Sequence, residues 1–269
     1  MSDDSRQQRR RLVRERLKTG QRALAKGVPQ TPTRPDIVGI AEVLRAKLEE
    51  AGNDRRASEA ARIAQGLSER SLKAHPAKVP IACKKGCGYC CHTFVAVLPP
   101  EAFRLADAVR GGTSRALGVE AVRARTLPLR GLSPDQRVGA KLPCPLLVDG
   151  ECSVYADRPL VCRQATSLSL PSCIEEYEGT DREGRIEISS AHLAHSSNAH
   201  VALLGAMQAA GLPTDAFELG AVLDLVLADP AAERRWLAGE DVFAPLPRNV
   251  VRERQVELVA ERIAAELRA

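Results

Sequence analysis

All eight cysteines of this 269-residue chain fall between Cys83 and Cys173, and this confinement restricts the fold more than any other feature of the sequence. The first four form the run Cys83-Lys-Lys-Gly-Cys87-Gly-Tyr-Cys90-Cys91, and after a long gap Cys144, Cys152, Cys162 and Cys173 follow. Thiolates gathered in this way repel one another unless a soft or borderline cation sits among them, so the pattern points to metal ligation by all eight residues. Two other readings remain. Cys83, Cys87, Cys90 and Cys91 would share one face of a helix as small buried hydrophobes, or some of the thiols could serve in redox disulfide chemistry. Gly86 and Gly88 oppose the helix, since each would cost it about 1 kcal/mol relative to alanine, whereas both suit a tight loop. His92 is a further candidate ligand beside the first run. Lys84, Lys85, Arg158 and Arg163 lie close enough in sequence to offset thiolate charge, or are ordinary surface cations.

No apolar run approaches the roughly 18 residues needed to cross a bilayer, and the N-terminus is charged where a secretory signal would be apolar. A cytoplasmic protein is expected, in a compartment where cysteines stay reduced and read as metal ligands or catalytic groups. Residues 1–26 carry nine Lys or Arg against Asp3, Asp4 and Glu15. Such an arm offers a weak contact for nucleic acid or an acidic partner, although it lacks an aromatic residue to stack on bases.

Aromatic residues make up only 3% of the chain, so the core must be built from Ala, Leu and Val, which favours helices. Apolar residues recur at helical spacing over residues 36–51 and 54–73, and Pro99 to Arg110, Ser114 to Thr126, Ser190 to Ala210, Thr214 to Ala228, Ala231 to Ala238 and Asn249 to Leu267 read as further helices. Thr93 to Leu98 looks like a short strand. Leu146 to Tyr155 reads as a hairpin turning at Asp149-Gly150, with Cys152 opposite Leu147. The register puts Cys144 and Cys152 on opposite faces unless Pro145 ends the strand early. His192, His195 and His200 are expected on an exposed helix surface, and Trp236 as a core or interface anchor. The expected architecture is mainly α, with helices flanking a small irregular cysteine-rich core that carries a short β-hairpin. Its parts are a basic arm at 1–30, partly helical or disordered, a helical segment at 31–78, the cysteine module at 79–180 and a C-terminal helical region at 181–269.

The stretch Cys144-Pro-Leu-Leu-Val-Asp-Gly-Glu-Cys152-Ser-Val-Tyr-Ala-Asp-Arg-Pro-Leu-Val-Cys162-Arg, following the first run, resembles the YkgJ-type cysteine-cluster family. The resemblance covers about residues 80–175 and implies a bacterial zinc- or iron-chelating module. It places Cys83, Cys87, Cys90, Cys91, Cys144, Cys152 and Cys162 at the family's cysteine positions, with Cys173 near its looser last one. It supplies no reaction, and whether the chain is an enzyme stays open. Zinc suits the tight first run. An iron–sulfur cluster accepts ligands from distant loops and is the favoured reading, Cys144-Pro145 being similar to a ferredoxin step. Three roles follow: a metal-binding module, an iron–sulfur oxidoreductase or protein-modifying, methyl-transferring enzyme, and a zinc-stabilised RNA- or protein-binding adaptor. The spacing of Cys83, Cys87 and Cys90 also matches radical S-adenosylmethionine enzymes, but the β/α units these need are missing from the pattern. Nor is there a nucleophile elbow, phosphate loop or dinucleotide fingerprint.

Overall fold

Helix α8 (Ser190–Ala209) is the axis of the fold, because its second half, Ala-His-Val-Ala-Leu-Leu-Gly-Ala-Met, is apolar or small at every position but His200. A helix of that composition has to be surrounded by protein. The computed structural model, which describes residues 35–84, 86–112, 117–179, 186–248 and 254–269, surrounds it with four others. These are α1 (Pro35–Leu48), α2 (Arg56–Ala74), α6 (Leu160–Gln164) and α11 (Arg254–Arg268). Leu203, Leu204, Ala206 and Met207 of α8 are fully buried among Ala41, Leu44, Ala57, Ala64, Leu160 and Ile263. Alanine at so many contact positions lets the helix axes approach closely.

One close approach is at Gly205. A methyl group there would lie 2.6 Å from Ile263 Cγ2 and 3.2 Å from the Ala260 carbonyl oxygen. Gly205→Ala is therefore expected to lower stability by about 1–3 kcal/mol, because overpacking outweighs the roughly 1 kcal/mol that alanine gains in helix propensity. Thermal unfolding reads the balance, and an unchanged or raised Tm would mean that α8 and α11 can part without loss.

A second layer carries the site. Helix α3 (Pro99–Arg110) packs on α2 and on α9 (Leu219–Ala228), and α4 (Val119–Thr126) packs on α9. Phe103 of α3 stacks obliquely on Trp236 of α10 (Ala232–Leu237), with ring centroids 5.6 Å apart, so Trp236 is a core anchor. Strand β1 (Ala96–Val97) pairs antiparallel with β4 (Phe217–Glu218), Val97 opposite Phe217. Strands β2 (Leu147–Val148) and β3 (Glu151–Cys152) form the hairpin, with Leu147 opposite Cys152 as the turn chemistry predicts. Asp149 and Gly150 both take positive φ in the turn. The described residues are thus mainly helical, with two small sheets.

Several details differ from the sequence expectations. The segment from Thr214 is not helical throughout: Phe217 and Glu218 are drawn into the sheet by the backbone of β1, and α9 begins only at Leu219. Its cap is the Glu218 carboxylate, which accepts the Ala221 N–H at 2.8 Å. The strand expected over Thr93 to Leu98 shrinks to two residues, because Pro99 and Pro100 start α3 directly after Leu98. Three short helices inside the cysteine module escaped the pattern, α5 (Pro134–Ala140), α6 and α7 (Leu170–Glu178). His192, His195 and His200 are half-buried rather than exposed. Ser189 and Ser71 hydroxyls hydrogen-bond to Nδ1 of His192 and His195, respectively. The basic arm at 1–30, Lys85 and the starts of the helices expected from Ser114 and Asn249 lie outside the described residues.

Candidate metal centre

The first cysteine run does not form a helix. Cys83 lies in extended chain, bound to the segment around Ser167: the Ala82 N–H donates to the Ser167 carbonyl at 2.9 Å, and the Ser167 N–H donates to Cys83 Sγ at 3.1 Å. The same segment bridges to Ile188 on its other side. Gly86 then turns the chain with φ +85°, a conformation that favours glycine. Tyr89–His92 make a single 3-10 turn. Gly88 is needed for a different reason, since a methyl group there would meet Leu147 Cδ1 at 3.1 Å and the Gly150 carbonyl oxygen at 3.2 Å. The loop is thereby pressed against the hairpin that bears Cys152.

Two more contacts join the distant halves of the module. Cys144 donates its N–H to the Cys91 carbonyl at 2.7 Å. Arg137, only 2% exposed, donates to the carbonyls of Leu142 at 2.6 Å and His92 at 3.3 Å, with the Glu218 carboxylate 3.7 Å away. Pro145 does end the strand early, as β2 starts at Leu147, and Cys144 and Cys152 consequently border the same space.

That space is a cavity of about 610 Å³. Cys87, Cys90, Cys91, Cys144, Cys152 and Cys162 all line it. Cys162 arrives on α6, whose first residue, Leu160, gives its N–H to the buried carboxylate of Glu101 at 2.7 Å. Cys90 and Cys91 both border this space, and the hydrogen bond between their side chains lowers the pKa of Cys90 and raises that of Cys91. Cys83 and Cys173 are not part of the lining, but both lie within electrostatic reach of Cys87. Cys173 is carried by α7, docked on the 3-10 turn through Tyr177, whose ring lies 5.7 Å from Tyr89 and 5.0 Å from His92.

All eight cysteines are free. Burial pushes the Cys144 thiol up to about 12, against the pull of the Leu146 N–H. Burial likewise raises Cys162 well above its ordinary value, and raises Cys83, Cys87 and Cys152. These sulfurs hold their protons at neutral pH until a cation replaces them, which is the usual coupling of thiolate ligation to proton release. Backbone N–H groups of Tyr89, Leu146 and Val154 reach the sulfurs of Cys87, Cys144 and Cys152, a setting that suits metal thiolates. Among the described residues, however, no three His, Cys, Asp or Glu side chains are drawn up into a closed metal-holding set. The sulfurs face one space without converging on one point in it.

The neighbouring cations differ from one another. Arg163 is a buried strut, donating to the carbonyls of Arg158 at 2.9 Å and Ala156 at 2.6 Å and pairing with Glu69. Arg158 and Lys84 border the cavity. His92 does not: its Nδ1–H donates to the Gly88 carbonyl at 3.0 Å and its ring packs on Tyr177. Sequence reasoning missed Glu101 and Arg137, which hold the site together. The signal for Glu101 was present, an acidic residue at the third position of a helix opened by two prolines; nothing in the local pattern marks Arg137.

Residues 82–185 match the model of one protein family, CxxCxxCC, described as "Putative zinc- or iron-chelating domain". No curated protein and no solved structure matches the chain. Among the described residues, no helix is long and apolar enough to cross a membrane.

Proposed function

With a CxxCxxCC-family domain of the zinc- or iron-chelating kind over residues 82–185 as the premise, we propose that this protein holds an iron–sulfur cluster through its cysteines. The observation that carries the reading is the lining of one cavity by six cysteines from four separate stretches of chain. Zinc sites are usually assembled from pairs of ligands two to four residues apart. Here Cys144, Cys152 and Cys162 come from a loop, a strand and a helix, respectively, a supply of donors that iron–sulfur clusters accept readily. Cys87, Cys90, Cys91, Cys144, Cys152 and Cys162 would hold the group, and Cys83 and Cys173 would supply further sulfur beside Cys87. When bound, a cluster supplies electron transfer or Lewis acidity. The chain itself supplies a desolvated wall, N–H donors to sulfur, and Arg158 and Lys84 to offset negative charge.

Zinc is the second reading, favoured by the closely spaced Cys83, Cys87, Cys90 and Cys91. Purification without oxygen, followed by measurement of iron, zinc and acid-labile sulfide and by a visible spectrum, separates the two. A brown protein with iron and sulfide in matching amounts is the expected result. A colourless protein with stoichiometric zinc would replace the iron–sulfur reading, and a folded protein free of both metals would end the metal-binding proposal.

A further inference from the structure

Six cysteines border the cavity, whereas an iron–sulfur cluster takes four thiolates from the protein. Cys83 and Cys173 lie off the cavity, so four sulfurs in all are left over. The backbone divides the eight along that line.

Cys91, Cys144, Cys152 and Cys162 form one set. The Cys144 N–H donates to the Cys91 carbonyl at 2.7 Å, the Leu147 N–H donates to the Cys144 carbonyl at 2.9 Å, and Leu147 pairs with Cys152 across the hairpin. Cys162, on α6, is within electrostatic reach of Cys144 and Cys152. The other set gathers on the opposite side of the 3-10 turn. Cys83 is fixed by the Ser167 segment, and Cys173 rides on α7, which Tyr177 docks against Tyr89 and His92 of the turn that bears Cys90. Cys83 is within reach of Cys87, Cys90 and Cys173, and Cys87 is within reach of Cys90 and Cys173. Cys90 stands at the boundary, hydrogen-bonded to Cys91, and the first set is complete without it.

We propose that Cys83, Cys87, Cys90 and Cys173 form a second metal site, separate from the one in the cavity, that takes a single zinc ion. Three of the four ligands are three and two residues apart in the chain, the close spacing of structural zinc sites, which are closed by four donors in a tetrahedron. The surroundings suit metal thiolates. The Ser167 N–H donates to Cys83 Sγ at 3.1 Å, the Tyr89 N–H reaches Cys87, and the charge of Lys84 acts on Cys87. Arg158 serves the first set instead, acting on Cys152 and Cys162, and also on Cys90 at the boundary. Among the described residues neither set is closed, so Cys83 and Cys173 have to move in on Cys87 as the ion binds. The zinc ion then ties the Ser167 segment and α7 to the loop that carries Cys90 and Cys91, and so braces one wall of the cavity. The inference rests on the metal-binding proposal and deepens it by dividing the sulfurs between two centres.

The test is analysis of zinc, iron and acid-labile sulfide in the full-length protein, purified without oxygen, given excess zinc and desalted. Wild type is expected to hold one zinc ion beside its iron and sulfide. Cys83→Ser and Cys173→Ser should each keep less than about a tenth of that zinc, with iron and sulfide at the wild-type level, and Cys162→Ser should do the reverse. The metal that each variant keeps shows that it has folded. Zinc retained by either Cys83→Ser or Cys173→Ser overturns the second site, as does iron lost together with zinc from both, or a wild type with only one metal centre. Two zinc ions and no iron in wild type, one of them lost from Cys173→Ser, would overturn the iron–sulfur reading and leave the second site standing, so the two failures are distinguishable.

Discussion

Cys144→Ser is expected to strip the cavity of its metal, leaving less than about a tenth of the wild-type content after anaerobic purification. The size of the effect follows from what the sulfur does. Metal–thiolate sites in small domains are worth on the order of 10 kcal/mol, and a serine hydroxyl stays protonated where a thiol would ionise. Cys144 also stands at the junction of the module, since its own N–H donates to the Cys91 carbonyl while its sulfur is among the most desolvated of the eight. The backbone bond survives the substitution, so the serine variant should keep its fold and lose its metal. Cys162→Ser should behave alike. Serine at Cys83 or Cys173 tests the geometry from the other side, because neither residue lines the cavity. Those variants are expected to retain the metal there and to lose at most what is bound around Cys87. Metal analysis and visible absorbance read all four, and full metal retention by Cys144→Ser would remove this cysteine from the ligand set.

Much of this site could be read from the chain because its signals are local. The hairpin at Asp149-Gly150 needs positive φ at two consecutive residues, and that chemistry set the pairing of Leu147 with Cys152 correctly. The glycine pair in the first run marked a loop for the right general reason, although only Gly86 acts through its φ angle; Gly88 acts through its contact with Leu147 and Gly150. Long-range packing left no such trace. The partner of β1 is β4, more than a hundred residues away in a segment whose composition is helical, and its two residues join the sheet only because the β1 backbone is there to pair with them. Helix α7 has a proline at its start and a serine cap, Ser169 accepting the Ser172 N–H, but it is short, and its position depends on Tyr177 meeting Tyr89 and His92. Spacing alone therefore left the placement of Cys173 undecided.

Glu101→Ala is expected to cost about 3–5 kcal/mol of stability. Glu101 is fully buried, with one carboxylate oxygen accepting the Leu160 N–H at 2.7 Å and the other the Leu98 N–H at 3.1 Å. Both donors stand at helix N-termini, Leu98 before α3 and Leu160 as the first residue of α6, where the positive ends of two helix dipoles meet one negative charge. Burial raises the pKa of this carboxyl, while the N–H groups of Leu160 and Leu98 and the charge of Arg163 lower it. Alanine would leave two buried N–H groups without acceptors, at about 1–3 kcal/mol each, and a small void between α3 and α6. Glutamine keeps one acceptor oxygen but turns an amide donor toward the other N–H, so Glu101→Gln should lose about half as much. Urea unfolding of the metal-free protein reads both variants without interference from bound metal. Because Leu160 opens the helix that bears Cys162, the alanine variant should also bind metal more weakly in proportion to its lost stability. If its unfolding midpoint matched that of wild type, α6 would have to be held by its contacts with α8 alone, and Glu101 would have no part in setting the position of Cys162.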